Sequence, residues 1–124
     1  METRTYPIPV KDYYRQLLDI LDFIHPFDKL RPRQKDIYAE LLKKNNKYKS
    51  LDPKDRNKLI FDKSTYKEIA ATLDLSSSNI YNIMGELKDL GLIISTEDNE
   101  NIMEDKYIPP KVDIIAFKLI EDKN

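Results

Sequence analysis

Between Thr65 and Leu92 the chain runs TYKEIAATLDLSSSNIYNIMGELKDLGL, and its apolar residues form two helical stripes separated by only Asp74, Leu75 and Ser76. That spacing leaves little freedom, because two amphipathic helices joined so tightly must bury their stripes against a common core. Thr65 and Glu68 stand in the S/T-x-x-E relation of a capping box, which predicts the start of the first helix. Tyr66, Ile69, Ala70 and Leu73 share its buried face. Ser76 is the expected N-cap of the second helix, whose apolar positions Ile80, Ile83, Met84, Leu87 and Leu90 recur at helical spacing until Gly91 stops it. Leu75, inside the turn, is an apolar plug that can reach between the helices.

The flanking segments predict further elements. Val10, Tyr13, Tyr14, Leu17, Leu18, Leu21 and Ile24 recur as one face of an amphipathic helix, interrupted at His25-Pro26 because proline disfavours helix in the residue before it. Pro32 suits the first turn of a second helix that buries Ile37, Tyr38, Leu41 and Leu42 and stops at about Lys43 or Lys44, ended by Asn45 and Asn46. Asp52-Pro53 opens a short helix in a charged connection, and Phe61 is expected in a short strand. After Gly91, residues Leu92 to Ser95 predict a strand, Thr96 to Asp105 a polar hairpin tip, and Lys106 to Ile108 the returning strand. Pro109-Pro110 interrupts the ladder, and Val112 to Ile120 is β-rich enough for one more strand.

With 124 residues the chain can bury a core of its own without metal or disulfide help, and one domain is the expectation. No apolar run approaches the ~18 residues of a membrane span, and the N-terminus has no secretory h-region, so a cytoplasmic setting is expected. The absence of cysteine excludes disulfides, thiol nucleophiles and cysteine-bound zinc. His25 is the only histidine and precedes a proline, and Gly85 and Gly91 are the only glycines, so there is neither a ligand cluster nor a phosphate-cradling loop. Carboxylate pairs such as Asp98 and Glu100 lack an apolar pocket to shift their pKa. No catalytic residue, metal or cofactor is expected. The net charge of -1 conceals an uneven distribution: Arg31 to Lys67 holds 12 basic and 5 acidic residues, and Glu97 to Asn124 holds 4 basic and 8 acidic ones. A basic half could face a polyanion while the acidic half faces solvent or a basic partner.

Helix, helix, two tightly joined helices and a hairpin resemble the winged helix-turn-helix DNA-binding proteins. The resemblance covers roughly Leu30 to Ile108 and rests on Glu68-Ile69-Ala70, Leu73, Leu75-Ser76, Ile80, Leu87 and Leu90-Gly91-Leu92-Ile93. Ala70 matches the small residue where two helices cross, and Ile80 the buried branched position. Asp74 replaces the usual glycine, a substitution that aspartate's tolerance of left-handed backbone accommodates. The implied fold is α+β, mostly α: a three-helix core with a β-hairpin wing, an extra N-terminal helix and a C-terminal strand. Residues 1–124 then form a single winged-helix domain, with 1–28 as an N-terminal helical extension, 30–108 as the core and 109–124 as a strand or tail.

The resemblance implies sequence-specific binding of double-stranded DNA through the second helix, in transcriptional regulation. On a helical wheel the face opposite the buried stripe carries Ser78, Tyr81, Asn82 and Gly85, joined by Asn79 as candidate base contacts. Asn82 is the best reader, since asparagine pairs bidentately with adenine, and Gly85 would let a strand approach the backbone. The amides from Ser76 and Ser77 onward lie at a helix N-terminus that favours phosphate, and Lys67, Lys63, Arg31, Arg33 and Lys35 could flank the groove. The hairpin tip opposes this, with five acids from Glu97 to Asp105 and no base, so it is expected to point away from a duplex. The other reading is a winged-helix interaction module of a replication, transcription or virion assembly, in which Glu97, Asp98, Glu100, Ile102 and Met103 meet a basic protein partner. The N-terminal helix leaves room for a homodimer, because one reading helix covers only a half-site.

Overall fold

Pro32 lacks an amide that a helix N-terminus would leave unbonded anyway, and its fixed φ starts the central helix α2, Pro32–Lys47. The computed structural model describes residues 3–7, 13–108 and 114–118. Arg31 completes the start of α2 by donating its amide to Gln34 Oε1 at 2.8 Å. The helix buries Ile37, Tyr38, Ala39, Leu41 and Leu42, and α1 (Tyr13–Ile20) packs along it. Asn45 and Asn46 do not end α2, which continues to Lys47. Asparagine is only a mild helix breaker, and the packing of the preceding turns overrides it.

The N-terminal amphipathic stripe forms α1, then a 3-10 turn over Leu21–Phe23 rather than one continuous helix, while Val10 lies outside the described residues. Tyr13, Tyr14 and Leu18 are fully committed to the interior. The chain then crosses a cis His25–Pro26 peptide into a second 3-10 turn, Phe27–Lys29, which seats Phe27 against Tyr38 and edge-on against Tyr107. Ion pairs along the seam tie the two segments. Arg15 reaches Asp36 and Asp19 at 2.6 Å each, and Lys35 reaches Asp22 at 2.9 Å and Asp19 at 3.2 Å.

The short helix at Asp52-Pro53 is α3, Pro53–Ile60, capped by the Asp52 carboxylate accepting from the Asp55 amide at 2.9 Å. Phe61 is its C-cap and not a strand residue. Next, α4 spans Lys63–Leu73, three residues earlier than a capping box at Thr65 would start it. Asp62 is the N-cap, accepting from the Ser64 amide at 3.0 Å and from its hydroxyl, while Thr65 is buried and donates its own hydroxyl to the Leu59 carbonyl at 2.6 Å. Glu68 turns instead to Lys44 of α2. Asp74 takes the left-handed conformation at φ +55°, Leu75 packs half-buried against the core, and Ser76 starts α5, Ser77–Asp89.

Gly91, at φ +82°, turns the chain out of α5 into β2, Ile93–Ser95. Its partner is β3, Asn101–Met103, in the register Ile93 with Met103, Ile94 with Ile102 and Ser95 with Asn101. The return strand therefore comes five residues earlier than Lys106 to Ile108. Asn99, at φ +62°, permits the tighter tip, which is closed by the Thr96 amide donating to the Glu100 carbonyl at 2.8 Å. Residues Asp105–Tyr107 form a 3-10 turn, and the Tyr107 carbonyl accepts from the Tyr38 hydroxyl at 3.3 Å. A second antiparallel pair joins β1, Thr3–Pro7, to β4, Ile114–Lys118, with Thr3 opposite Lys118 and Pro7 opposite Ile114. The described architecture is α+β and mostly helical, and one continuous cluster of buried side chains runs from Tyr13 to Met103.

Candidate nucleic-acid interface

Two polar contacts fix the entry to α5. Ser76 Oγ accepts from the Asn79 amide at 3.2 Å, and the Leu75 amide donates to the Ala70 carbonyl at 2.9 Å. With Ile80, Met84 and Leu87 buried, the helix turns Ser78, Tyr81, Asn82 and Gly85 outward together, with Asn79 exposed at the edge of that face. Ser76 and Ser77 are exposed at its N-terminus. A Cβ placed on Gly85 meets nothing within 4 Å, so no internal packing demands glycine there.

Tyr81 is 51% exposed and its ring meets Tyr66 of α4 edge-on, with centroids 5.2 Å apart. Burial raises the pKa of Tyr66, and a hydrogen bond with the Asn101 side chain works against that rise. The Tyr66 ring of α4 thus supports Tyr81 on the outward face of α5. On the opposite side α5 is anchored to α2: Glu86 accepts from Arg31 and from Gln34 at 2.8 Å each. The bond from Gln34, despite slight desolvation and with help from Arg31, holds the Glu86 carboxyl below its ordinary pKa. Nothing in the residue spacing singles out Gln34 and Glu86, which are 52 positions apart.

The basic residues divide into two groups. Lys63 and Lys67 are exposed at the start of α4. Arg33 is exposed, with Asp36 3.7 Å away. Arg31 is engaged with Glu86. Lys35 is not available to a phosphate: it is 9% exposed, and its ammonium lies between Asp19 and Asp22. Its position on α2 aims it at the α1 seam, where two carboxylates outcompete a distant anion.

The hairpin departs from the sequence expectation in two ways. Met103 is 3% exposed and belongs to the core, because it pairs with buried Ile93 at the base of the hairpin, against Asn57 of α3; it is no surface contact. Ile102 is half-buried, while Glu97, Asp98 and Glu100 are exposed. The tip also does not stand apart from the basic segment. Asp98, Glu100 and Asn101 form one wall of an open cleft of about 680 Å³ whose other wall is Lys54 and Lys58 of α3 with Lys63 of α4, over Phe61 and Ile102. The hairpin is held there by Asn57, buried on α3, whose Oδ1 accepts from the Met103 amide at 3.0 Å and whose Nδ2 donates to the Pro53 carbonyl at 2.7 Å. Asn57, Lys54 and Lys58 were invisible as site residues in the sequence, since a polar helix gives no sign of which long-range strand it will meet.

Among the described residues no group of three or more His, Cys, Asp or Glu side chains is placed to hold a metal ion, and no helix is long and apolar enough to cross a membrane. Comparison with family models, with curated proteins and with solved structures found no match to this chain.

Proposed function

We propose that this chain is a winged-helix protein that binds double-stranded DNA sequence-specifically, with α5 as the reading helix, α2 and α4 completing the three-helix core and the β2–β3 hairpin as the wing; transcriptional regulation is the role this reading favours. The outward face of α5 carries the proposal. Ser78, Tyr81 and Asn82 offer uncharged donors and acceptors able to read base edges, and Gly85 sits among them at a position where glycine costs a helix about 1 kcal/mol relative to alanine. An approaching DNA strand gives that glycine a purpose which the empty space around it does not. Asn82 is the primary base reader, Ser78 and Tyr81 support it, and Lys63 and Lys67 take flanking phosphates.

Selection from a random duplex library at physiological salt, with Asn82→Ala alongside, tests the reading. One enriched motif that loses a position in the variant, with discrimination there falling by about 1–3 kcal/mol, is the expected result. Equal, salt-labile retention of all sequences by both proteins would remove α5 as a reader. The symmetry of the motif reports the stoichiometry, since two half-sites about 34 Å apart require two copies of α5.

A further inference from the structure

The cleft between α3 and the hairpin places opposite charges face to face and leaves them apart. Lys54 and Lys58 are one turn apart on α3 and so project from the same side, and Lys63 continues their wall. Asp98 and Glu100 stand across from them, yet among the described residues none of these five side chains forms a salt bridge. Asp62, also on the rim, is occupied in capping α4.

Magnitudes decide what such an arrangement can hold. Exposed charges about 4 Å apart attract by only about 1 kcal/mol in water, and salt weakens that further. A duplex carries one negative charge per ~1.7 Å of its axis, far denser than two carboxylates on a loop tip. The acidic tip therefore reduces the affinity of the lysine wall for anions without closing it. The cleft also lies next to the reading face, because Lys63 on its wall opens α4, whose Tyr66 one turn on meets Tyr81 edge-on.

We propose that this cleft is a seat for the phosphodiester backbone, with Lys54, Lys58 and Lys63 as its cationic wall and Asp98 and Glu100 as a built-in negative field that the strand must overcome. The proposal rests on the duplex reading and gives it a second, sequence-independent contact. It also explains an acidic wing in a DNA-binding protein: the tip limits non-specific retention, so that binding outlasts salt only where α5 finds its bases.

The test measures affinity for a duplex bearing the selected motif, or a mixed-sequence duplex if none is selected, between about 50 and 200 mM salt. Lys54→Gln with Lys58→Gln is expected to weaken binding roughly tenfold and to make the slope of log K against log salt shallower by about 2, one for each lost phosphate contact. Asp98→Asn with Glu100→Gln is expected to tighten binding severalfold, and this gain should vanish when the lysine changes are also present. All four side chains are exposed, and unchanged thermal unfolding verifies that the fold is intact. A gain of equal size in the lysine-free background would overturn the proposal, since the acids would then act only through net charge. Asn82→Ala without effect, beside a full effect of the lysine changes, would defeat the reading helix and leave the cleft standing. Inorganic tripolyphosphate captured through the lysines with no duplex binding at any salt would overturn the backbone seat in favour of a free phosphate ligand. No binding of either anion overturns both proposals.

Discussion

At the scale of single residues, Gly85 separates stability from binding. Its backbone is ordinary α-helix, its surroundings are empty, and a methyl group there meets no neighbour. Replacing it with alanine removes the entropic penalty of glycine and should raise unfolding free energy by about 1 kcal/mol, moving the thermal midpoint up by a few degrees. The same methyl group would stand between the helix and an approaching strand, so duplex affinity should fall about tenfold in a filter or anisotropy titration. A variant that is both more stable and equally tight would show that no strand comes near Gly85. The neighbouring residues show what a sequence can reveal at this scale. Ser78, Tyr81 and Asn82 could be placed outward because helical spacing alone decides it. Lys35 could not be placed, because its fate depends on Asp19 of α1 and Asp22 of the turn after it, whose approach no local pattern encodes.

At the scale of elements, legibility follows the range of the interaction that fixes each one. The turn between α4 and α5 was legible because its determinants, the left-handed Asp74 and the capping Ser76, sit within three residues. The hairpin was legible in kind but not in register, since Met103 is positioned by Asn57 from 46 residues away. Removing that anchor tests it: Asn57→Ala leaves the buried Met103 amide without an acceptor and should cost about 2 kcal/mol by chemical denaturation, with faster amide exchange along β2 and β3. A loss well under 1 kcal/mol would mean that the strands hold their register unaided. The seam between α1 and α2 makes a pH prediction. Partial desolvation pushes the Asp19 carboxyl up, but hydrogen bonds from Arg15 and Lys35 outweigh it and hold the pKa below the ordinary value. A carboxylate depressed on folding contributes stability above its unfolded pKa of about 4, and that contribution is lost as pH falls through the folded value. Denaturation midpoints should therefore drop below about pH 4, and Asp19→Asn should lower stability at pH 7 while flattening part of that acid limb. An unaltered limb would transfer the effect to Glu68 and Glu86, whose pKa values are also depressed.

At the scale of the whole molecule, the question is whether the N-terminal helix is an appendage or part of the body. The sequence favours the core, with a dimer interface as the lesser reading of its aromatic and leucine stripe. The structure buries Tyr13, Tyr14 and Leu18 in the same cluster as Leu87 of α5 and Met103 of the hairpin, and among the described residues Phe23, 78% exposed, is the most exposed large apolar side chain. A shared core makes the parts unfold together, and a chain of this length is within the range where a single cooperative transition is usual. Leu18→Ala, at a fully buried position of α1, should then cost about 3 kcal/mol and shift one common midpoint, seen alike by far-ultraviolet dichroism and by tyrosine fluorescence. An appendage would behave differently, melting early in the variant while the rest of the chain kept its midpoint. The distinction bears on recognition because α2, which carries α1 on one side, holds Glu86 of α5 on the other through Arg31 and Gln34. If the helices share one transition, damage at Leu18 should weaken duplex binding only near the melting temperature, with affinity unchanged well below it. Loss of affinity at low temperature would mean instead that α1 sets the angle at which α5 is presented.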